Sequence, residues 1–147
     1  LRICIMGISK NINNKYKSIE VFEWSEKEEI AFIQSLDIGI MPLSNTPWAR
    51  GKCGFKLIQY MACGLPVVAS PVGVNSDIVE HGVNGFLADT NEEWIKSIKR
   101  LVKDRDLRQK MGLAGLKKIE REFSLHFWAP QVTKYIKSIV INEIEKN

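Results

Sequence analysis

Apolar residues fall along this chain in two spacings. Five short runs are contiguous or alternate with polar residues: Arg2–Gly7, Ile19–Trp24, Ile38–Met41, Pro66–Ser70 and Phe86–Ala88. That pattern predicts short strands, most of them buried. Between the runs, apolar residues recur three or four positions apart, as on one face of a helix. Ile30, Ile33 and Leu36 form such a stripe behind Ser25, a helix cap with Glu28 as its capping-box partner. Leu57, Ile58, Met61 and Ala62 predict a helix from about Gly54 to Cys63, and a short helix starts at Asn75 or Ser76 and runs through Val79. Thr90 and Glu93 make a second capping box ahead of Trp94, Ile95, Ile98, Leu101 and Val102. Asp104 caps a helix to about Glu122, and Ser124 opens a last one with Trp128, Val132, Tyr135, Ile136, Ile139 and Val140 as its inner stripe. Pro130 should kink that helix or delay its start. Ser9–Lys17 and Leu43–Gly51 read as polar loops, and Asn84-Gly85 as a turn.

Strands therefore alternate with helices. The expected fold class is α/β: a Rossmann-like parallel sheet with helices on both faces, and ligands near the carboxyl ends of the strands. The most informative stretch is Gly51-Lys-Cys-Gly-Phe-Lys-Leu-Ile-Gln-Tyr-Met-Ala-Cys-Gly64. Glycines ahead of a helix let a ligand approach the backbone, and the first helical amides have no internal partner. The helix dipole favours a negative group there. Lys56 adds a cation where the dipole alone would prefer an acid, and that combination suggests a phosphate site. An ordinary loop and helix with one solvated lysine is the simpler alternative.

Composition narrows the choices. With 147 residues, 45% hydrophobic and 26% charged, the chain is one domain, 1–147, of a globular protein. No apolar run is long enough to span a bilayer. Cys4, Cys53 and Cys63 form no Cys-x-x-Cys pair and there are two histidines, so a zinc site is not expected and reduced thiols in a cytoplasmic protein fit best. Residues 99–121 carry nine Lys or Arg against three acids. A solvated helix face is the simpler reading, and contact with anionic lipid at the inner face of a membrane the sharper one. Interleaved aromatics are lacking in that run, which argues against nucleic acid. Neither Gly-x-Gly-x-x-Gly nor a Walker phosphate loop occurs, and neither His81 nor His126 sits in a catalytic arrangement.

Several motifs occur together in order: Ile38-Gly-Ile-Met-Pro-Leu43, Gly54-Phe55, Met61-Ala-Cys-Gly-Leu-Pro-Val-Val-Ala-Ser70, then Asp77-Ile-Val79 to Asn84-Gly-Phe-Leu87. From about Ile3 to Tyr135 the chain resembles the carboxyl-terminal, donor-binding domain of retaining glycosyltransferases of the group 1 family, which have the GT-B fold. The resemblance implies a half-enzyme whose substrate is a nucleoside diphosphate sugar, with no cofactor and no metal. Its acceptor, a glycan or glycolipid as in polysaccharide biosynthesis, would be held by an amino-terminal domain outside this chain. It also implies that the domain's first strand and an Arg and Lys pair for the diphosphate lie upstream of Leu1, so that the domain is incomplete at its amino end. The isolated chain is then expected to transfer no sugar.

The resemblance assigns roles residue by residue. Cys53, Gly54 and Phe55 would meet the diphosphate, with Lys56 reaching a phosphate. Trp24 and Ser25 fall on the nucleobase side, although core packing is the simpler reading of Trp24, and a small buried residue that of Cys53. The family's two glutamates, for donor sugar and ribose, fall on Gly51 and Gln59 in this sequence. Gln59 can still bond a ribose hydroxyl, more weakly than a carboxylate, and Gly51 offers no side chain. Those two departures leave open an alternative, a binding or scaffold module that kept the fold and lost the chemistry.

Overall fold

A computed structural model describes residues 1–7 and 18–144. The polar loop read at Ser9–Lys17 lies outside the described residues. The elements are β1 (Ile3–Met6), β2 (Ile19–Phe22), α1 (Glu26–Gln34), β3 (Gly39–Met41), α2 (Pro47–Arg50), α3 (Phe55–Ala62), β4 (Val67–Ala69), α4 (Asn75–Ile78), β5 (Gly85–Leu87), α5 (Asn91–Lys103), α6 (Arg105–Glu122) and α7 (Leu125–Ile144). All strand pairs are parallel, as the alternation predicts.

Strand β4 shows why the core forms where it does. Val67, Val68 and Ala69 are each fully buried, so both faces of the strand are covered. Val67 and Ala69 pack with Leu57 and Met61 of α3, Ile78 of α4 and Ile119 of α6. Val68 faces the other way, toward Phe86, Leu101 of α5 and Met111 of α6. Helices thus lie on both faces, and the alternation of strand side chains sorts the core into two clusters. Close approach holds α6 against α3: a Cβ on Gly112 would overlap the Gly64 carbonyl oxygen.

The parallel sheet is not continuous. Strands β1 and β2 make one sheet, and β3, β4 and β5 another. The Ile3 and Gly7 amides bond to β2 and its approach (Ile3 N to Ser18 O, 2.8 Å; Gly7 N to Phe22 O, 3.1 Å), which turns the main-chain groups of Arg2 and Cys4 the opposite way. On β3, Gly39 N bonds Pro66 O at 3.0 Å and Met41 O accepts from Ser70 N at 3.2 Å, so Ile38 and Ile40 turn away from β4. Arg2, Cys4, Ile38 and Ile40 line one cavity of about 320 Å³, with Tyr60 and Ile98 on its walls. Among the described residues, two strand edges without a partner strand therefore border a common gap.

Several local expectations change. The loop at 43–51 contains the one-turn helix α2, capped by Thr46, whose Oγ1 accepts the Ala49 amide at 3.2 Å. Ser25 occupies the amino cap of α1 without a side-chain cap bond, so the capping box with Glu28 does not form. Of the α1 stripe Ile33 is buried, whereas Ile30 is half exposed. The turn read at Asn84-Gly85 forms, with Gly82 N bonding Gly85 O at 2.8 Å; Gly85 also opens β5, and buried Asn84 accepts Glu80 N and donates to Ile78 O. The Thr90–Glu93 box and the Asp104 cap form as read. Leu101 is buried on α5, but Ile95 and Val102 are exposed. Helix α7 starts at Leu125, so Pro130 does not delay it, and its stripe from Trp128 to Ile139 is exposed rather than inner. The side chain of Val140 lies outside the described residues.

Part of the basic run serves the interior. Lys118 is only 8% exposed, and its Nζ donates to Asp77 O and Glu80 Oε1, both at 2.9 Å. This charge ties the carboxyl-terminal part of α6 to the end of α4. Lys118→Met keeps most of the volume and removes both bonds. It is expected to lower stability by about 2 kcal/mol, measured by urea unfolding. An unchanged midpoint would show that the buried ammonium contributes nothing.

Candidate donor-binding site

The carboxyl ends of β2, β3 and β4 lead into the starts of α1, α2–α3 and α4, and the predicted site residues lie along these connections. Gly54 is the amino cap of α3 with a left-handed φ of 68°. A side chain there would also collide with Ile78 Cδ1. Glycine at 54 is therefore required by backbone conformation, and any Cβ there would also have to displace the end of the Ile78 side chain on α4. The Gly54 carbonyl accepts the Leu57 and Ile58 amides, so the Phe55 and Lys56 amides precede the first internal acceptor of the helix. Cys53, Phe55 and Lys56 are exposed, which places this helix end at the surface. The simpler reading of Cys53 as a buried residue is overturned.

Lys56 does not project alone into solvent. Its Nζ lies 2.6 Å from Glu29 Oε1, and Gln59 Nε2 donates to Glu29 Oε2 at 3.0 Å. Trp24 Nε1 reaches the same carboxylate at 3.4 Å. Three predicted residues, Trp24, Lys56 and Gln59, thus meet at one side chain that sequence reasoning passed over. Lysine provides three donors, so the bond to Glu29 leaves two for a ligand. The Lys56 side chain is 49% exposed and that of Glu29 18%.

Hydrogen bonds from Lys56, then from Gln59, hold the Glu29 carboxyl below its ordinary value of 4.5. A depressed folded value means that this link between α1 and α3 contributes fully above the ordinary carboxylate range. It is lost as pH falls through the folded value. Gln59 Oε1 is buried with no hydrogen-bond partner, and no other buried side-chain atom among the described residues is left so.

Other predicted residues behave differently. Trp24 is 58% exposed, so core packing does not explain it. The Ser25 carbonyl, not its hydroxyl, receives the Glu28 and Glu29 amides at 3.1 and 3.0 Å. Gly51 has φ −79°, and a Cβ there would meet only ordinary contacts, the nearest at 3.6 Å. The fold therefore does not demand glycine at 51. Asn75, read as a possible helix start, is the first residue of α4; it is buried, and its Nδ2 donates to Ser70 O at 3.0 Å, which tightens the loop before the helix. Arg50 Nε donates to Asn45 Oδ1 at 2.7 Å, which ties the end of α2 to the loop before it. Glu29 was the residue missed, because its partners on α3 are 27 and 30 positions away.

Of the basic run at 99–121, Arg108 bonds Leu101 O at 2.7 Å, and Lys118 is buried. Lys99, Arg100, Lys103, Arg105, Lys110, Lys117 and Arg121 are exposed. Among the described residues no helix is long and apolar enough to cross a membrane.

Known proteins share this fold. The chain is 24% identical over 119 residues to human alpha-1,3/1,6-mannosyltransferase ALG2, spanning 80% of this chain and 27% of that protein. Its fold matches sucrose-phosphate synthase from Thermosynechococcus elongatus with a TM-score of 0.81 at 19% identity, over 96% of this chain and 39% of the other. It also matches Anabaena Alr3699/HepE in complex with UDP and glucose, with a TM-score of 0.73 at 22% identity, over 85% of this chain and 33% of the other. The chain thus spans well under half the length of each. These neighbours fit the Rossmann-like, GT-B half-domain that the ordered motifs imply. Residues 8–118 match the family described as "Glycosyl transferases group 1", and the chain belongs to that family.

Proposed function

We propose that residues 1–147 are the donor-binding half of a retaining glycosyltransferase that moves a sugar from a nucleoside diphosphate sugar to a glycan or glycolipid acceptor. The observation that carries this reading is Lys56, a cation with unused donors in the first turn of α3, beside amides that lack internal acceptors. Such a helix end suits a diphosphate, whose charge grows as the glycosidic bond breaks. Lys56 and the Phe55 amide would carry that charge with no metal. Gly54 keeps the approach to the backbone open, Cys53 lines it, and Trp24 and Ser25 flank the nucleobase side. The UDP held by Anabaena Alr3699/HepE makes UDP a suitable first probe. An acceptor domain in the same longer protein completes the reaction, and residues 1–147 alone give no turnover. We place the enzyme in the cytoplasm, with the exposed part of the basic run at 99–121 as its surface toward anionic lipid.

The test is calorimetric titration of UDP and GDP into the full-length protein. Saturable binding of one of them is expected, weakened about tenfold by Lys56→Ala. Absence of saturable binding by either nucleotide overturns the donor reading. It would favour the second reading, a scaffold that kept the fold without the chemistry, which the bare Gly51 and the neutral Gln59 support.

A further inference from the structure

A neutral glutamine at 59 leaves the site without a carboxylate on α3, yet one arrives from α1. Glu29 is held from three directions by Lys56, Gln59 and Trp24. An ionised carboxylate has about four acceptor positions. Lys56 and Trp24 both donate to Oε1, which leaves Oε2 with Gln59 alone. Oε2 therefore keeps an open acceptor position, and the side chain is reachable at 18% exposure. Gln59 Oε1 is itself closed off from solvent. Of the two residues, Glu29 is thus the one that can meet a ligand, and Gln59 is the residue that orients it.

We propose that Glu29 is the ribose-recognising carboxylate of this chain, accepting a hydroxyl of the donor nucleotide on Oε2 while Gln59 positions it. The inference rests on the donor-binding reading above and adds to it a specificity residue on a different helix. Lys56 then serves two partners at once, with one N–H fixing Glu29 and the remaining two facing the diphosphate. A carboxylate that accepts from a neutral hydroxyl makes a stronger bond than an amide oxygen does. Loss of such a bond is felt as discrimination against the ligand that lacks the hydroxyl.

The experiment compares UDP with its 2′-deoxy and 3′-deoxy forms, and GDP with the same two, by titration into the full-length protein. The wild type is expected to bind at least one deoxy form about tenfold more weakly than the parent nucleotide. Glu29→Gln keeps the shape and should bring that ratio to within about twofold of unity. Glu29→Asp keeps the charge but withdraws it by one methylene, and should lower the ratio as well. Lys56→Ala should weaken parent and deoxy forms alike. A ratio unchanged in Glu29→Gln, with Lys56→Ala still weakening every nucleotide, overturns the role of Glu29 and spares the donor reading. Tighter binding of all forms by Glu29→Gln also overturns it, showing that Glu29 competes with the ligand for Lys56. No saturable binding by the wild type overturns both.

Discussion

Alanine at Gly112 is expected to lower stability by about 3 kcal/mol, the upper end of what an overfilled core position loses. The reason is geometric. The added methyl would occupy the place of the Gly64 carbonyl oxygen, which belongs to the turn between α3 and β4. A side-chain neighbour could rotate away, but this neighbour is main chain. Gly64 has a φ of 73°, so the turn cannot shift without disturbing the left-handed residue that ends α3. Helix α6 must therefore lift away from α3 and expose Met111 and Ile119, one on each side of the core. Thermal unfolding should show a midpoint lower by roughly 10 °C. A change under about 0.5 kcal/mol, the ordinary range for a neutral surface substitution, would show that the two helices are not held at this distance.

Gly54→Ala should damage stability and ligand capture together. A left-handed non-glycine residue loses about 1–2 kcal/mol, and the collision with Ile78 Cδ1 adds to that. The two contributions can be separated. Ile78→Val removes the colliding atom, so the double variant should regain part of the lost stability while the backbone strain persists. Nucleotide affinity should fall in both, because relief of strain moves the first turn of α3 and with it Lys56. If the double variant is no more stable than the sum of the single changes, packing against Ile78 is not the second reason for glycine at 54. If affinity is unchanged in both, the start of α3 does not touch the ligand.

Much of this fold could be read locally. The Thr90–Glu93 box and the Asp104 cap depend on residues three apart and on backbone already committed to a helix, so sequence spacing suffices. The buried face of α3 was legible because Leu57 and Met61 sit one turn apart on one side of the helix. Ser25 failed as a capping box although its spacing was as good. Nothing in the structure explains that failure. Glu29, one residue past the box position, bonds Lys56 and Gln59, which are far along the chain. The same distance hid Glu29 as a site residue, since in sequence it is one acid among several. Trp24 was misread for a related reason: an aromatic at a strand end predicts burial, and only the tertiary contact to Glu29 explains why it stays at the surface. The stripe on α7 is a correct pattern whose covering surface is not found among the described residues.

The gap between β1 and β3 bears on how this chain must be handled. Its rims turn the amide and carbonyl groups of Arg2, Cys4, Ile38 and Ile40 away from their partner strands, and an exposed edge of that kind is a template for pairing with an extended peptide. Another molecule's strand meets that requirement as well as any. Concentrated solutions of residues 1–147 by themselves are thus prone to edge-to-edge polymer growth, and light scattering belongs beside every calorimetric trace recorded on them.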